Sequence, residues 1–449
     1  MLSRYDVVII GAGPAGIFSA LELSKREGIR AAMFEKGPDI DERTRQKSLL
    51  SGWGGAGAFS DGKLTLSPDV GGQLGNFLPV NTLQALIHEV DGIYIDFGAP
   101  DKVYGTNEDD LEELRRKAIL ADLRLIPSQI RHMGTDACPE ILRRMRDTVR
   151  DKIDIHTDTA VASLLTKDSR ITGIETTSGE VVEAECVIVA PGREGADWLA
   201  SEARRLGLKT VINPVDVGVR VETSAAVMED ITSKVYEPKL LFNSRAFDDR
   251  VRSFCVCPHG EVVLEKSDGV MSVNGHSYAR KKTENTNFAL LVSTNFTEPF
   301  HEPITYGRYL ATLANLLSGG VIVQRLGDLQ SGHRSTESRI AKGVVRPTLE
   351  SAVPGDLSFV LPYRHMAGLL EMIAALDKLA PGVGGRHTLL YGVEVKFYSS
   401  RLEVSPSLET VVQNLFSIGD GAGITRGLVQ ASASGLVAAR EVAARIGHG

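Results

Sequence analysis

An α/β fold with a second domain set into the chain is predicted by three observations. A continuous apolar run near the N-terminus leads into a glycine cluster and then a stretch with apolar residues at helical spacing. The same order of strand, glycine turn and helix returns near the C-terminus, in "NLFSIGDGAGITRGLVQASASGLVAAREVAARIG". Between them lie several runs of alternating or β-rich character, which read as strands of a more antiparallel domain.

The elements follow in order. Tyr5 to Ile10 is apolar without alternation, as a buried parallel strand requires. Gly11 to Gly16 makes the turn, Ile17 to Glu27 a helix, and Ala31 to Phe34 a second strand ending at Glu35. Ser51 to Gly75 then carries eight glycines. From Asn81 to Lys152 the chain reads as largely helical, with breaks near Gly98, Gly105 and Gly134, and Ile153 to Ile155 is the next strand of the first sheet. The stretches "AVASLLTKD", "RITGIETTSG" and "EVVEAECVIVA" suggest a small antiparallel meander. Val217–Glu222, Ser253–Cys257, Glu261–Glu265, Phe288–Thr294 and Leu389–Phe397 are strands of the second domain, with helices around Arg308–Leu317 and His365–Leu379. The expected division is a discontinuous nucleotide domain (1–66, 137–210 and 405–449), a helical insertion (67–136) and an α+β substrate domain (211–404).

Length and composition bound the possibilities. At roughly 150 residues per domain, 449 residues make two or three domains. A net charge of −7 argues against nucleic acid as the main partner. The basic clusters "ELRRKAILADLRL" and "ILRRMRDTVRDK" read as solvated helix faces. Four cysteines are too few for a secreted disulfide framework, and Asp6 with the glycine turn breaks a superficial likeness to a signal peptide. No stretch reaches the roughly 18 apolar residues of a membrane span. A cytoplasmic protein is expected.

"GAGPAG" opens a Rossmann-like dinucleotide site. Gly11 permits the tight turn, Gly13 lets backbone approach a pyrophosphate, and Gly16 allows helix to pack closely on strand, with Pro14 and Ala15 between them. The helix N-terminus offers N–H groups to the phosphates. Glu35, 19 residues after Gly16, is placed to accept from a ribose diol, with Lys36 beside it. NAD and FAD remain open on these residues alone. The C-terminal "LFSIGDGAGITRGLVQASASG" resembles the second fingerprint of FAD enzymes related to glutathione reductase. That resemblance implies that Asp420, after Gly419, binds a ribityl hydroxyl. It also implies that the helix start around Gly423, Ile424, Arg426 and Gly427 lies at the pyrimidine end of the flavin. "ECVIVAPGREG" resembles the third element, bringing Ala190, Pro191 and Gly192 to the cofactor, and Val161 opens the meander beside it.

With these in place the whole chain resembles a family of FAD-dependent dehydrogenases, uncharacterised as to substrate, of the NAD(P)/FAD-dependent oxidoreductases in the glutathione-reductase-like superfamily. The resemblance rests on "GGAGAFSDGKLTL", "RHMGTDACPEIL", "VDVGVRVE", "FCVCPHGEVV", "SVNGHSY", "NTNFALLVSTNF", "YGVEVKFYSS" and "IGDGAGITRGLVQASASG". It implies a Rossmann-like FAD-binding domain with a mixed α+β substrate domain, bound FAD and redox activity. One departure is His259, where the family implies a small residue, often glycine.

The chemistry is less specified. Gly55, Ala56, Gly57 and Gly62 let backbone approach the flavin, and Ser60, Asp61 and Lys63 either tune it or only cap the loop. Cys255 and Cys257, two apart on a strand, share a face by alternation. They read as redox thiols, half a metal site or buried small hydrophobes, and no second Cys/His pair completes a metal site. His132, His259, His276 and His365 are scattered, and His259 ranks first for its place beside the cysteine turn. No second strand-borne GxGxxG exists, since "APGVGGR" follows no strand. The expectation is therefore an FAD oxidoreductase moving hydride through flavin N5 between a small organic substrate and an external partner. That partner is an electron-carrier protein or a transient NAD(P)H. The alternatives are an FAD-dependent monooxygenase and an FAD-dependent tRNA-modifying protein.

Overall fold

The computed structural model describes residues 3–46, 51–59, 62–134, 137–211, 213–267, 269–278, 281–294, 296, 302–396 and 401–447. The chain divides into two compact units, one of residues 1–102, 131–213 and 398–449, the other of residues 103–130 and 214–397. These bounds differ from the expected ones: the stretch 67–136 is not a separate helical insertion but is shared between the units. The reason is a three-residue strand, Arg124–Ile126, which pairs with Lys239–Asn243 and so ties 103–130 to the second unit. A strand that short carries no readable period.

In the first unit, parallel strands run in the order Ile153–His156, Ala31–Phe34, Ser3–Ile10, Val181–Val189 and Leu415–Ser417. Val7, Val8 and Ile9 are wholly buried, which is why their run is continuous. Val181–Val189 has two roles. Its first residues pair antiparallel with Arg170–Thr176 in the meander, and its last three lie parallel to Leu415–Ser417. The helices Pro14–Leu23 and Leu428–Ile446 cross at Gly435, where a Cβ would come within 2.2 Å of the Ala15 carbonyl. Ser19 Oγ donates to the Gly435 carbonyl there. The basic residues of the Cys138–Val149 helix meet acids: Arg143 donates to Asp41, and Arg146 to Asp39 and Asp41.

The second unit is built on an eight-stranded sheet. Its order is Val353–Pro354, Ile322–Arg325, Leu389–Lys396, Val215–Ser224, Asn285–Thr294, Arg250–Cys257, Lys239–Asn243 and Arg124–Ile126. Alternation splits it into two unlike faces. Val215, Val217, Val219, Val221, Phe288, Leu290, Val292, Leu390, Val393 and Val395 join one apolar core, together with Leu369, Met372 and Leu376 of the Tyr363–Leu379 helix. The face between them mixes buried apolar residues such as Ala289, Leu291 and Tyr391 with buried polar ones: Asp216, Arg220, Glu222, Asn285, Asn287 and Glu394. A hairpin of Glu261–Ser267 and Val270–His276 lies against this polar face, where a Cβ on Gly275 would meet Arg220 and Asn287. Among the described residues no helix is long and apolar enough to cross a membrane.

Candidate functional site

Three glycine turns converge in the first unit. Gly11, at φ 96°, sits where a Cβ would press within 2.2 Å of the Ala190 carbonyl, and a Cβ on Gly16 would come within 1.9 Å of the Gly11 carbonyl. Gly421 is equally confined, 2.2 Å from the Gly192 carbonyl, while a Cβ on Gly419 would touch Ala15. Gly13 and Gly192 are different: a Cβ at either meets nothing within 4 Å. The packed glycines hold the turns together, and these two line open space. Gly13 also caps the Pro14–Leu23 helix, whose first turn has neither an acidic residue nor a capping side chain. Its leading N–H groups are therefore suited to a phosphate.

Glu35 is buried and fixed by backbone amides. Its Oε2 accepts from Ala12 N, and its Oε1 from Gly37 N and Gly52 N, at 2.8–2.9 Å. Arg43, also fully buried, donates from Nη1 to the carbonyls of Gly52, Trp53 and Gly55 at 3.2, 2.7 and 2.9 Å. Burial pushes its guanidinium down to about 10, opposed by the nearby carboxylates of Glu35 and Glu194. Together the pair clamps the Gly52–Gly55 loop onto the first turn, where Gly54 N donates to Ala12 O at 2.7 Å. Gly57, after Ala56, packs against Pro14 and Leu428. Sequence reasoning missed Arg43, which lies in no motif.

At the third turn, Asp420 Oδ1 accepts from Thr425 Oγ1 at 2.6 Å. Ile424 O accepts from Gln73 N, and Arg426 N donates to Gly71 O, so the Gly71–Gln73 segment is laced to this turn. Gly427 caps the Leu428–Ile446 helix, again with no side-chain cap and no acid in the first turn. Thr425 was not anticipated either.

The remaining predicted residues are placed as follows. Lys36 pairs with Glu194, just beyond Pro191 and Gly192, at 2.9 Å. Val161 begins the strand Val161–Lys167, two residues after Thr159, whose N–H donates to Glu35 O. Gly62 stands against Cys138, and Lys63 opens the strand Lys63–Thr65. Ser60 and Asp61 lie outside the described residues.

Cys255, Cys257 and His259 fall in the second unit. The simple alternation expected of the cysteines fails, because the ladder slips between Phe254 and Cys257 and Cys255 adopts φ 47°. Cys255 is half-buried and Cys257 fully buried. His259 takes φ 50°, a conformation that favours glycine, and its Nδ1 lies 3.0 Å from the Thr283 carbonyl. His365 is buried, with Nε2 against Thr294 Oγ1, and burial holds it down to about 4.

Two families match the chain. The one described as "FAD dependent oxidoreductase" matches residues 6–290, and "FAD-dependent protein, C-terminal domain-like" matches residues 214–397. A Clostridium beijerinckii protein, described as an uncharacterized protein, is 27% identical over 470 residues, covering 97% of this chain and 80% of the relative. Among solved structures the chain is similar to L-proline dehydrogenase from P. horikoshii, with 11% identity, a TM-score of 0.45 and 99% and 95% of the two chains covered. It is also similar to glycine oxidase from Geobacillus kaustophilus, with 14% identity, a TM-score of 0.41 and 98% and 95% covered.

Proposed function

The chain belongs to the family of FAD-dependent oxidoreductases, and from that premise we propose that it is a cytoplasmic single-flavin enzyme of the glutathione-reductase-like branch. It passes hydride between a small organic substrate and an external partner, either NAD(P)H or an electron-carrier protein. FAD supplies the hydride-accepting N5 when bound.

The residues of the first unit fit that cofactor. Gly13 and Gly192 leave room for it, and they are open while Gly11, Gly16 and Gly421 are tightly packed. That contrast is the observation that carries the reading. The uncapped N-terminus of the Pro14–Leu23 helix would receive the pyrophosphate. Glu35 would accept from the ribose, its carboxylate already oriented by three backbone N–H groups. Asp420, steadied by Thr425, would accept from the ribityl chain. The helix start at Gly427 would favour negative charge at the pyrimidine end of the ring.

The test is FAD affinity in Asp420→Ala, measured by flavin fluorescence on apo-protein. A lost charge-assisted hydrogen bond of about 1.5–3 kcal/mol weakens binding by roughly one to two decades. Equal affinity in variant and wild type overturns the placement. Anaerobic mixing with NADH and NADPH, followed by absorbance, then identifies whether a nicotinamide is the partner.

A further inference from the structure

The charges buried in the second unit answer one another, as where Arg220 Nε donates to Glu394 Oε2 at 3.1 Å. In the first unit a polar network of another kind surrounds the third glycine turn. The segment Gly71–Gln73 lies along that turn as a short ladder. Gly72 bridges Thr425, Arg426 N donates to Gly71 O at 2.8 Å, and Gln73 N donates to Ile424 O at 2.8 Å. A Cβ on Gly72, at φ 148°, would stand 2.7 Å from Thr425 Cα, so the close approach needs glycine.

Three side chains fasten this ladder. Gln430, buried in the first turn of the Leu428–Ile446 helix, donates from Nε2 to Pro68 O and Val70 O at 3.2 and 3.0 Å. Its Oε1 accepts from Leu74 N at 3.3 Å. Asn213 Nδ2 donates to Gly423 O at 3.4 Å. Gln73 Nε2 donates to Asn213 Oδ1 at 3.2 Å, and Gln73 Oε1 accepts from Arg401 Nη1 at 2.5 Å. Gln73 therefore reaches the turn twice, through its own backbone and through Asn213, and ties a cation to it. Arg401 lies over the Phe77 ring, 5.7 Å from the centroid, and has no carboxylate partner among the described residues.

Hydride arriving at flavin N5 brings two electrons and one proton, so the reduced ring holds one negative charge, at its pyrimidine end. We propose, on the strength of the flavin site described above, that Gln73 is a positioning residue for that charge. With Asn213 it engages the Gly423 and Ile424 carbonyls, and through Arg401 it fixes a cation behind the turn, so that the site favours reduced flavin.

The reason is electrostatic. A helix start is electropositive because its leading N–H groups have no intrahelical partner, and a free carbonyl beside it presents the opposite sign. Gly423 and Ile424 carry two such carbonyls just ahead of the Leu428–Ile446 helix, and both are occupied, one by the Asn213 amide and one by the Gln73 N–H. The first turn of that helix holds no acid to offset the effect. An amide suits position 73 because it accepts from Arg401 and donates to Asn213 at once. A carboxylate could do only the first, and a hydrocarbon neither.

The test is the midpoint potential of the flavin in intact holo-protein, read by reduction against a reference dye, with FAD affinity measured in parallel by fluorescence. Gln73→Leu should keep its FAD and shift the equilibrium toward oxidised flavin about tenfold, or about 30 mV for a two-electron couple. Arg401→Met should shift it the same way, and Arg401→Lys, which keeps the charge, should stay near the wild-type potential. A merely structural role would instead weaken FAD binding or lower the melting temperature and leave the potential of the bound flavin unmoved. An unchanged potential in Gln73→Leu, or equal potentials in Arg401→Met and Arg401→Lys, overturns the proposal while the flavin site stands. Wild-type protein that takes up no FAD overturns the flavin site itself, and the role of Gln73 with it. The two arginine variants decide even where Gln73→Leu fails to hold its cofactor.

Discussion

The two sheets of this molecule use burial in opposite ways. The parallel sheet of the first unit buries apolar side chains such as Val7, Val8 and Ile9, and its candidate chemistry lies in turns beyond the strand ends, made mostly of backbone. The antiparallel sheet of the second unit buries an ionic face, with Arg220, Glu394 and Glu222 inside and valines on the reverse. A site made of backbone N–H groups costs the core nothing when it is empty. A site made of buried charges is bound up with the stability of its own sheet, since each charge needs its partner.

Substitutions can break or sharpen this contrast. The largest effect is expected for Glu394→Gln, which leaves Arg220 buried without its carboxylate and should destabilise the second unit by about 3–5 kcal/mol. Replacing Arg220 and Glu394 together by Met should recover part of that loss. Urea denaturation followed by circular dichroism reads both, and an unperturbed Glu394→Gln would show that the charges are not coupled.

Next comes Gly16→Ala. Its Cβ would strike the Gly11 carbonyl at 1.9 Å, and overpacking of that kind should cost about 2–3 kcal/mol by the same measurement. Gly13→Ala, three residues earlier, should leave stability unchanged because its Cβ meets open space. It should instead weaken FAD binding about tenfold, or roughly 1.4 kcal/mol, read by flavin fluorescence. If Gly13→Ala destabilises the fold and spares FAD, the assignment of cradle and packing glycines is reversed.

The smallest effect is expected at the surface. Hydrogen bonds from Arg143 and Arg146 hold the Asp41 carboxyl below the usual range. A depressed pKa contributes stability above the unfolded value near 4 and loses it as pH falls through the folded one. Solvent screening limits the pair to under about 1 kcal/mol. Asp41→Asn should therefore lower the melting temperature slightly at pH 7 and match wild type near pH 2.

The same contrast explains what the sequence disclosed. Backbone sites demand glycine at fixed short spacings, so Gly11, Gly13, Gly16, Glu35 and the Gly419–Asp420 turn stand out in the sequence as candidates. The continuous Tyr5–Ile10 run and the Val217–Glu222 stretch likewise foretold a strand in each of the two sheets. What stayed hidden depends on partners distant in sequence. Arg43 matters because the chain folds back at Gly52–Gly55, and Arg220 because Glu394 and Cys255 lie on other strands. The alternating charges of "VDVGVRVE" hint at a polar face but do not say that it is covered. The bulge at Cys255 has no local signal at all, and it undid the simple alternation argument.

The first unit is assembled from three separate stretches of chain, and the Leu415–Ser417 strand and the Gly419–Asp420 turn belong to the last. Ribosomes work from the N-terminus at about 5–20 residues per second. The second unit, complete by residue 397, emerges while the first still waits for its final strand and helix. Nascent chains are therefore expected to carry a folded second unit before any can retain flavin. Cofactor loading would be among the last events of biogenesis, and premature termination past residue 397 would yield colourless protein with one half already formed.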